Sequence, residues 1–136
     1  MQRTDLKTYR EKLAHDPYAK LLGVKLEKVE EGYARVSLEL KEEFLNFLGY
    51  VHGGLIFSLA DQAFAVASNS REKVSVALQM NINFLKAPSI GDTLIAEAEE
   101  KSLSNKIGFY EIKVKNSAQE LIAQAQGIVY RKEPRG

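Results

Sequence analysis

One stretch limits the possible folds more than any other: NFLGYVHGGLIFSLADQAFAVASN, from Asn46 to Asn69. It begins as a polar, glycine-bearing loop with Asn46, Gly49, His52, Gly53 and Gly54, then runs from Leu55 to Ser68 almost entirely in apolar and small residues. That second part reads as a helix buried on nearly all sides. About 15 residues at 1.5 Å each make it roughly 22 Å long, which suits the core of a small domain and falls short of a bilayer. One carboxylate, Asp61, interrupts it. Burying an unpaired charge is costly or forces the group to neutralise, so Asp61 needs a partner, water or a task.

The flanking sequence supplies what such a helix could pack against. Leu6, Tyr9 and Leu13 recur at helical spacing among charges, which predicts an amphipathic helix from Thr4 or Asp5 to about His15, capped by one of those first two residues. Asp16-Pro17 reads as a cap followed by proline at the first helical position, opening a short second helix that Gly23 ends. Both helices read as a lid on the domain edge or, alternatively, as a direct contact to substrate. Val24 to Val29 and Tyr33 to Leu40 alternate around Glu30-Glu31-Gly32, a hairpin with Ala34, Val36, Leu38 and Leu40 facing in.

After the central helix, Val74, Val76, Leu78, Met80, Ile82 and Phe84 alternate with a second series, which predicts a long strand with one buried face. Pro88 and Gly91 mark a turn. Extended stretches follow at roughly 93–104, 106–115 and 120–132, with reversals at Asn105 and at Asn116 to Gln119. The connections are too short for parallel crossovers, so the sheet is expected to be antiparallel. Ala96, Ala98, Ala123, Ala125 and Gly127 fall on like-facing positions of two strands and leave room for a thick element, most simply the central helix. The expected fold class is α+β: one apolar helix wrapped by a curved antiparallel sheet of about six strands.

Composition narrows the function. The 136 residues, 45% of them hydrophobic and without a linker-like tract, read as a single domain spanning 1–136, with an N-terminal helical segment at 1–22 and a core at 23–132. Nineteen basic and 18 acidic residues, a formal charge of +1, carry no footprint for nucleic acid or an anionic membrane. Cysteine is absent, which removes disulfides and thiol nucleophiles and fits a reducing compartment. There is no apolar signal core and no membrane span, so a soluble, cytoplasmic protein is the expectation. His15 and His52 are the available imidazoles, in no metal-binding spacing, and no metal is expected.

The order and spacing of Asn46, Gly49, His52-Gly53-Gly54, Leu59-Ala60-Asp61 and the run from Ala65 to Ser70 resemble the hotdog-fold thioesterases of the PaaI-like group. The likeness extends more weakly over Pro88-Ser89-Ile90-Gly91-Asp92 and the last strand. It implies a curved sheet around one long helix, hydrolysis of acyl-CoA thioesters, often aryl or arylacetyl ones, and assembly as a dimer or a dimer of dimers. It also implies a polarising role for Asn46 near the acyl carbonyl and no cofactor, coenzyme A being part of the substrate.

The residues support such chemistry on their own terms. Thioester hydrolysis needs a group that polarises the carbonyl and one that delivers or becomes the nucleophile. Backbone N–H groups near Gly53 and Gly54 lack intrahelical partners and share the positive end of the helix dipole. Asp61 could attack the carbonyl to give an anhydride or act as general base on water, and the sequence leaves both open. Gly53 and Asp61 are eight residues apart, roughly 12 Å along one helix. A carbonyl must lie within about 3 Å of both groups, so one chain cannot assemble the site. Two antiparallel central helices across a two-fold axis could. A stripe of Ser58, Asp61, Gln62, Ala65 and Ser68 is expected to face partner and substrate.

Several residues carry two readings. Asp61 could be a buried polar bridge at a dimer interface, and Asn46 a loop brace. His52 sits where the dipole disfavours protonation, so orienting the loop or touching substrate fits it better than acting as a base. Gly53 and Gly54 could serve tight packing instead of an oxyanion. Ser68 could bond back to its own helix or hold the nucleophilic water. Asn83, Phe84 and Lys86 are candidates for contacts to the CoA arm, or plain strand and turn residues. Acyl-pocket shape depends on the packing of Phe47, Phe57 and the N-terminal helix. The competing functions are a dehydratase or hydratase on a β-hydroxyacyl thioester, disfavoured because Gly53-Gly54 directly follows His52, and a non-catalytic acyl-CoA binding protein.

Overall fold

A computed structural model of the protein describes residues 6–132. Along the chain lie α1 (Leu6–Ala14), α2 (Pro17–Leu22), β1 (Lys25–Glu30), β2 (Tyr33–Glu39), one 3-10 turn (Glu42–Phe44), α3 (Gly53–Ser68), β3 (Ser75–Phe84), β4 (Thr93–Leu103), β5 (Ile107–Lys115) and β6 (Leu121–Arg131). The Asp16 carboxylate accepts the Tyr18 and Ala19 N–H groups at 3.0 Å each. Pro17 follows it, and Gly23, with φ of 85°, ends α2 as expected. The cap anticipated for α1 at Thr4 or Asp5 lies outside the described residues.

The six strands form one sheet in the order β1-β2-β4-β5-β6-β3, every neighbouring pair antiparallel. This is the α+β hotdog arrangement: the sheet curls around α3, which packs chiefly on β2, β4 and β5. Ala34, Val36, Leu38 and Leu40 are buried along the inner face. Opposite them the small side chains of Ala96, Ala98, Ala123 and Ala125 are equally buried and admit the helix. The fit is tightest at Gly127, where an added Cβ would lie 2.6 Å from the Phe64 ring. Phe64 in turn meets Tyr110 edge-on, ring centroids 5.7 Å apart. The side-chain volume absent at Gly127 is occupied by the helix.

The long strand departs from expectation. β3 is an edge strand, paired with β6 alone, and its register shifts between Ala77 and Gln79. Because successive side chains alternate faces, the extra residue Leu78 reverses the alternation. Met80, Ile82 and Phe84 pair with Gly127, Ala125 and Ala123 and take the inner face, while Val76 pairs with Tyr130 on the outer one. The six alternating apolar residues therefore do not form one buried face: Val76, Leu78 and Phe84 are exposed and Met80 and Ile82 half-buried.

Candidate functional site

The loop before α3 is closed by its own backbone. Asn46 N–H donates to Tyr50 O at 2.7 Å, Leu45 and Val51 form an isolated antiparallel bridge, and His52 N–H donates to Phe44 O at 2.9 Å. Gly49, at φ of 86°, supplies the left-handed turn. The Asn46 side-chain oxygen accepts the N–H groups of Leu48 and Tyr50 at 2.9 and 3.1 Å. Asn46 thus braces the loop, and its remaining NH₂ group is the end able to donate to a carbonyl. Phe47, at the tip, is 95% exposed.

His52 precedes the first turn of α3 and makes no side-chain capping bond. Its carbonyl receives the N–H groups of Leu55 and Ile56 at 3.1 and 3.3 Å. The N–H groups of Gly53 and Gly54 find no acceptor among the described residues. They stand at the positive end of a 16-residue helix with no acidic side chain in its first turn. The two glycines differ. A Cβ on Gly53 would lie 3.1 Å from the Phe84 ring, whereas one on Gly54 would meet open space. Phe84, one of the anticipated substrate contacts, therefore walls the helix start; Gly54 faces the opening.

Contrary to expectation, α3 is not buried on nearly all sides. Gly54, Asp61 and Ala65 are exposed and Phe57 and Ser58 half-buried, one open stripe with spacings of three and four. Asp61 sits in its middle and makes no hydrogen bond or ion pair among the described residues. It is no bridge within the chain. Its carboxyl is held above the ordinary carboxylate range by desolvation first and by the negative charge of Asp16 second.

Two residues expected on this stripe lie elsewhere. Gln62 and Ser68 are buried. Gln62 is turned beneath α1, and the Ser68 hydroxyl bonds back to Ala65 O at 3.4 Å, leaving it no place beside Asp61. Farther away, Asn83 is exposed opposite Gln124, and Lys86 is paired with Glu120, which also accepts from Asn116.

Sequence reasoning missed the start of α2 as a neighbour of Asp61. The Tyr18 hydroxyl lies 2.7 Å from Ser58 Oγ, which donates to Gly54 O at 2.8 Å. With the serine proton spent on Gly54, the tyrosine O–H is the donor to Ser58. Tyr9 donates to Asn69 O, and Arg10 Nε donates to Leu26 O at 3.1 Å, so the N-terminal segment spans α3 and β1. The Asp16-Pro17 dipeptide signalled a helix start; no local pattern could show what that start would face.

The thioesterase superfamily profile matches residues 48–123, more than half of the chain and the part that carries α3, β3, β4 and β5. A candidate esterase of Archaeoglobus fulgidus is 48% identical over 117 residues, covering 86% of this chain and 76% of its own. The acyl-coenzyme A thioesterase PaaI of Escherichia coli is 38% identical over 117 residues, 86% of this chain and 84% of its own. The solved structure of that PaaI protein superposes with a TM-score of 0.85 and 35% identity, covering 96% and 98% of the two chains. A Streptococcus mutans protein solved with acetyl-CoA bound superposes at 0.79 and 29%, covering 83% and 91%. This chain belongs to the thioesterase superfamily.

Proposed function

We propose that the protein is an acyl-CoA thioesterase, cleaving a CoA thioester to free acid and CoA in a composite site shared by two copies. One observation carries the reading: an unpartnered carboxylate, Asp61, stands on the open face of α3, two turns from the free N–H groups of Gly53 and Gly54. Those N–H groups would polarise the thioester carbonyl and stabilise its oxyanion, with the Asn46 NH₂ group alongside. Asp61 of the other copy would take a proton from water as that water adds to the carbonyl carbon, or would itself add to give an anhydride that water opens. Either route expels the CoA thiolate, and neither draws on a metal or redox cofactor.

His52 would position the loop and touch substrate, and Phe84 would line the entrance. Lys86 would have to leave Glu120 to meet a phosphate of the CoA arm. Two-fold pairing through β3 would bring the two α3 helices together, as a dimer or within a dimer of dimers. The names of the relatives support acyl-CoA as substrate: the Escherichia coli protein is called an acyl-coenzyme A thioesterase, and the Streptococcus mutans structure holds acetyl-CoA. Following free thiol from phenylacetyl-CoA, Asp61→Ala should be slower by about 10² to 10⁴. A variant as fast as the parent would remove the reading.

A further inference from the structure

A hollow of about 690 Å³ lies between α1, the end of α2 and the start of β1, and no residue of α3 lines it. A second, of about 310 Å³, continues along β2 to Lys41, and the two share Gly23 and Lys25. Sites for small organic ligands fall in the same range, about 300 to 1,000 Å³. Leu13, Val24 and Leu26 give the larger hollow apolar walls, against which a flat ring can lie.

The remaining lining is basic. Lys20 and Lys25 border the larger hollow and Lys41 the smaller, its ammonium 3.6 Å from where a Cβ on Gly23 would sit. These three lysines make no hydrogen bond or ion pair among the described residues. Elsewhere ammonium groups are matched: Lys28 meets Glu30, Lys101 meets Glu99, and Lys86 is paired with Glu120. Arg10 adds a fourth cation, its Nε committed to Leu26 O. Against these four stand two carboxylates, Glu27 and Glu39. Like charges gathered without partners repel, so the cluster costs stability until an anion joins it.

The number of cations selects the ligand. A carboxylate brings a single charge, whereas linked phosphates bring several, with acceptor oxygens pointing to more than one side. The apolar walls call for a ring beside those phosphates. A nucleoside diphosphate joins the two. We propose that the joined hollows form a nucleotide-binding site, which takes a nucleoside diphosphate with its base against Leu13, Val24 and Leu26 and its phosphates among Lys20, Lys25 and Lys41. The site is separate from the α3 groups invoked for hydrolysis and does not depend on that reading. The six residues of α2 connect the two places: Tyr18, near its start, bonds Ser58 on α3, and Gly23, at its end, lines both hollows about 9 Å farther along. The same ligand chemistry occurs in a free nucleotide and at one end of coenzyme A.

The test is calorimetric titration of the full chain with ADP and with pyrophosphate at low ionic strength, where exposed charges are least screened. ADP should bind about tenfold tighter than pyrophosphate, which carries the charge without the base. Lys25→Gln should weaken ADP about tenfold, and Lys20→Gln combined with Lys41→Gln should weaken it further. The Tm of these variants without ligand should equal or exceed that of the parent, since repulsion is relieved; lysines that served the fold would lower it. Lys113→Gln, exposed on β5, should leave ADP binding unchanged. Equal affinity for ADP and pyrophosphate overturns the proposal, as does an ADP affinity that Lys25→Gln does not move. So does a parent that binds no ADP at about 1 mM. S-ethyl-CoA, a non-hydrolysable thioether, then identifies the source. Displacement of bound ADP places the nucleotide end of CoA in the hollows, and simultaneous binding marks a site for a free nucleotide; both outcomes keep the site. No readout here involves thioester cleavage, so failure of this site and failure of the hydrolase are observed separately.

Discussion

The two edges of the sheet are finished in opposite ways. β1, KLEKVE, carries Lys25, Glu27, Lys28 and Glu30 among its six residues, and Lys28 meets Glu30 at 3.4 Å. α1 lies against it, with Arg10 donating to Leu26 O. β3, SVALQMNINF, has no charged residue across ten positions, and it exposes Val76 at 39% and Leu78 at 59%. Charge and a covering helix are the usual means of keeping an edge strand from pairing with another chain; a neutral, apolar edge invites pairing. One edge is completed inside the chain; in the proposed function a second copy would complete the other. Since the proposed chemistry needs groups from two copies of α3, the open edge and the open stripe are two parts of one requirement.

Breaking the open edge should have the largest consequence. Leu78→Lys places a charge in the neutral strand; sedimentation should shift from dimer to monomer, with thioester cleavage lowered on the order of 10³ as both composite sites are lost. Lys28→Leu, at the finished edge, should leave assembly and rate unchanged. Equal behaviour of the two variants would show that the edges are not different in kind.

A smaller effect separates the two glycines that open α3. Gly54→Ala should slow turnover about tenfold or more without lowering Tm, because its Cβ enters space that only a ligand would fill, and alanine favours helix by about 1 kcal/mol. Gly53→Ala pushes against Phe84 at 3.1 Å and should lower Tm as well. If Gly54→Ala turns over as the parent does, no substrate atom approaches that amide.

The smallest effect lies in pH dependence. The Asp61 carboxyl titrates above its ordinary value of 3.8, so between the unfolded and folded pKa values the native chain binds more protons than the unfolded one. Stability from this group falls as pH rises through that window and stays lower above it. Asp61→Asn should therefore raise Tm slightly at pH 7, with the gain vanishing below pH 3.8. Asp16→Asn keeps an acceptable helix cap while removing the second cause of the shift, so the acid limb of kcat/KM should move to lower pH. A limb that stays put would detach Asp16 from the reacting group.

Much of the fold was legible because its signals are local. The β1–β2 hairpin, the Asp16-Pro17 cap, the Gly23 stop and the apolar run of α3 each depend on residues a few positions apart, and each stands where the pattern put it, although the alternation expected in β1 is broken by a register shift between Leu26 and Lys28 that leaves Leu26 and Val29 as its buried residues. The tolerance of β4 and β6 for a thick neighbour was also readable, since Ala96, Ala98, Ala123, Ala125 and Gly127 state it as missing volume. The candidate site was legible in its parts: the glycine pair and Asp61 lie on α3 as placed. Its surroundings were not. Gln62 and Asp61 are adjacent in sequence and 100° apart on the helix, and which of them is covered depends on α1, whose Tyr9 reaches Asn69 sixty residues away.

By itself, then, the sequence determined which segments are strands and helices, that one helix is enclosed by small-faced strands, and which chemical groups open that helix. Periodicity and side-chain volume settle these because each is decided between near neighbours. Tertiary structure alone decided that β3 takes the far edge beside β6, that the extra residue at Leu78 turns the strand over, and that Asp61 stays open while Gln62 is covered. Those outcomes depend on which distant strand or helix fills each face, and pairing across such distances leaves no mark in the local pattern.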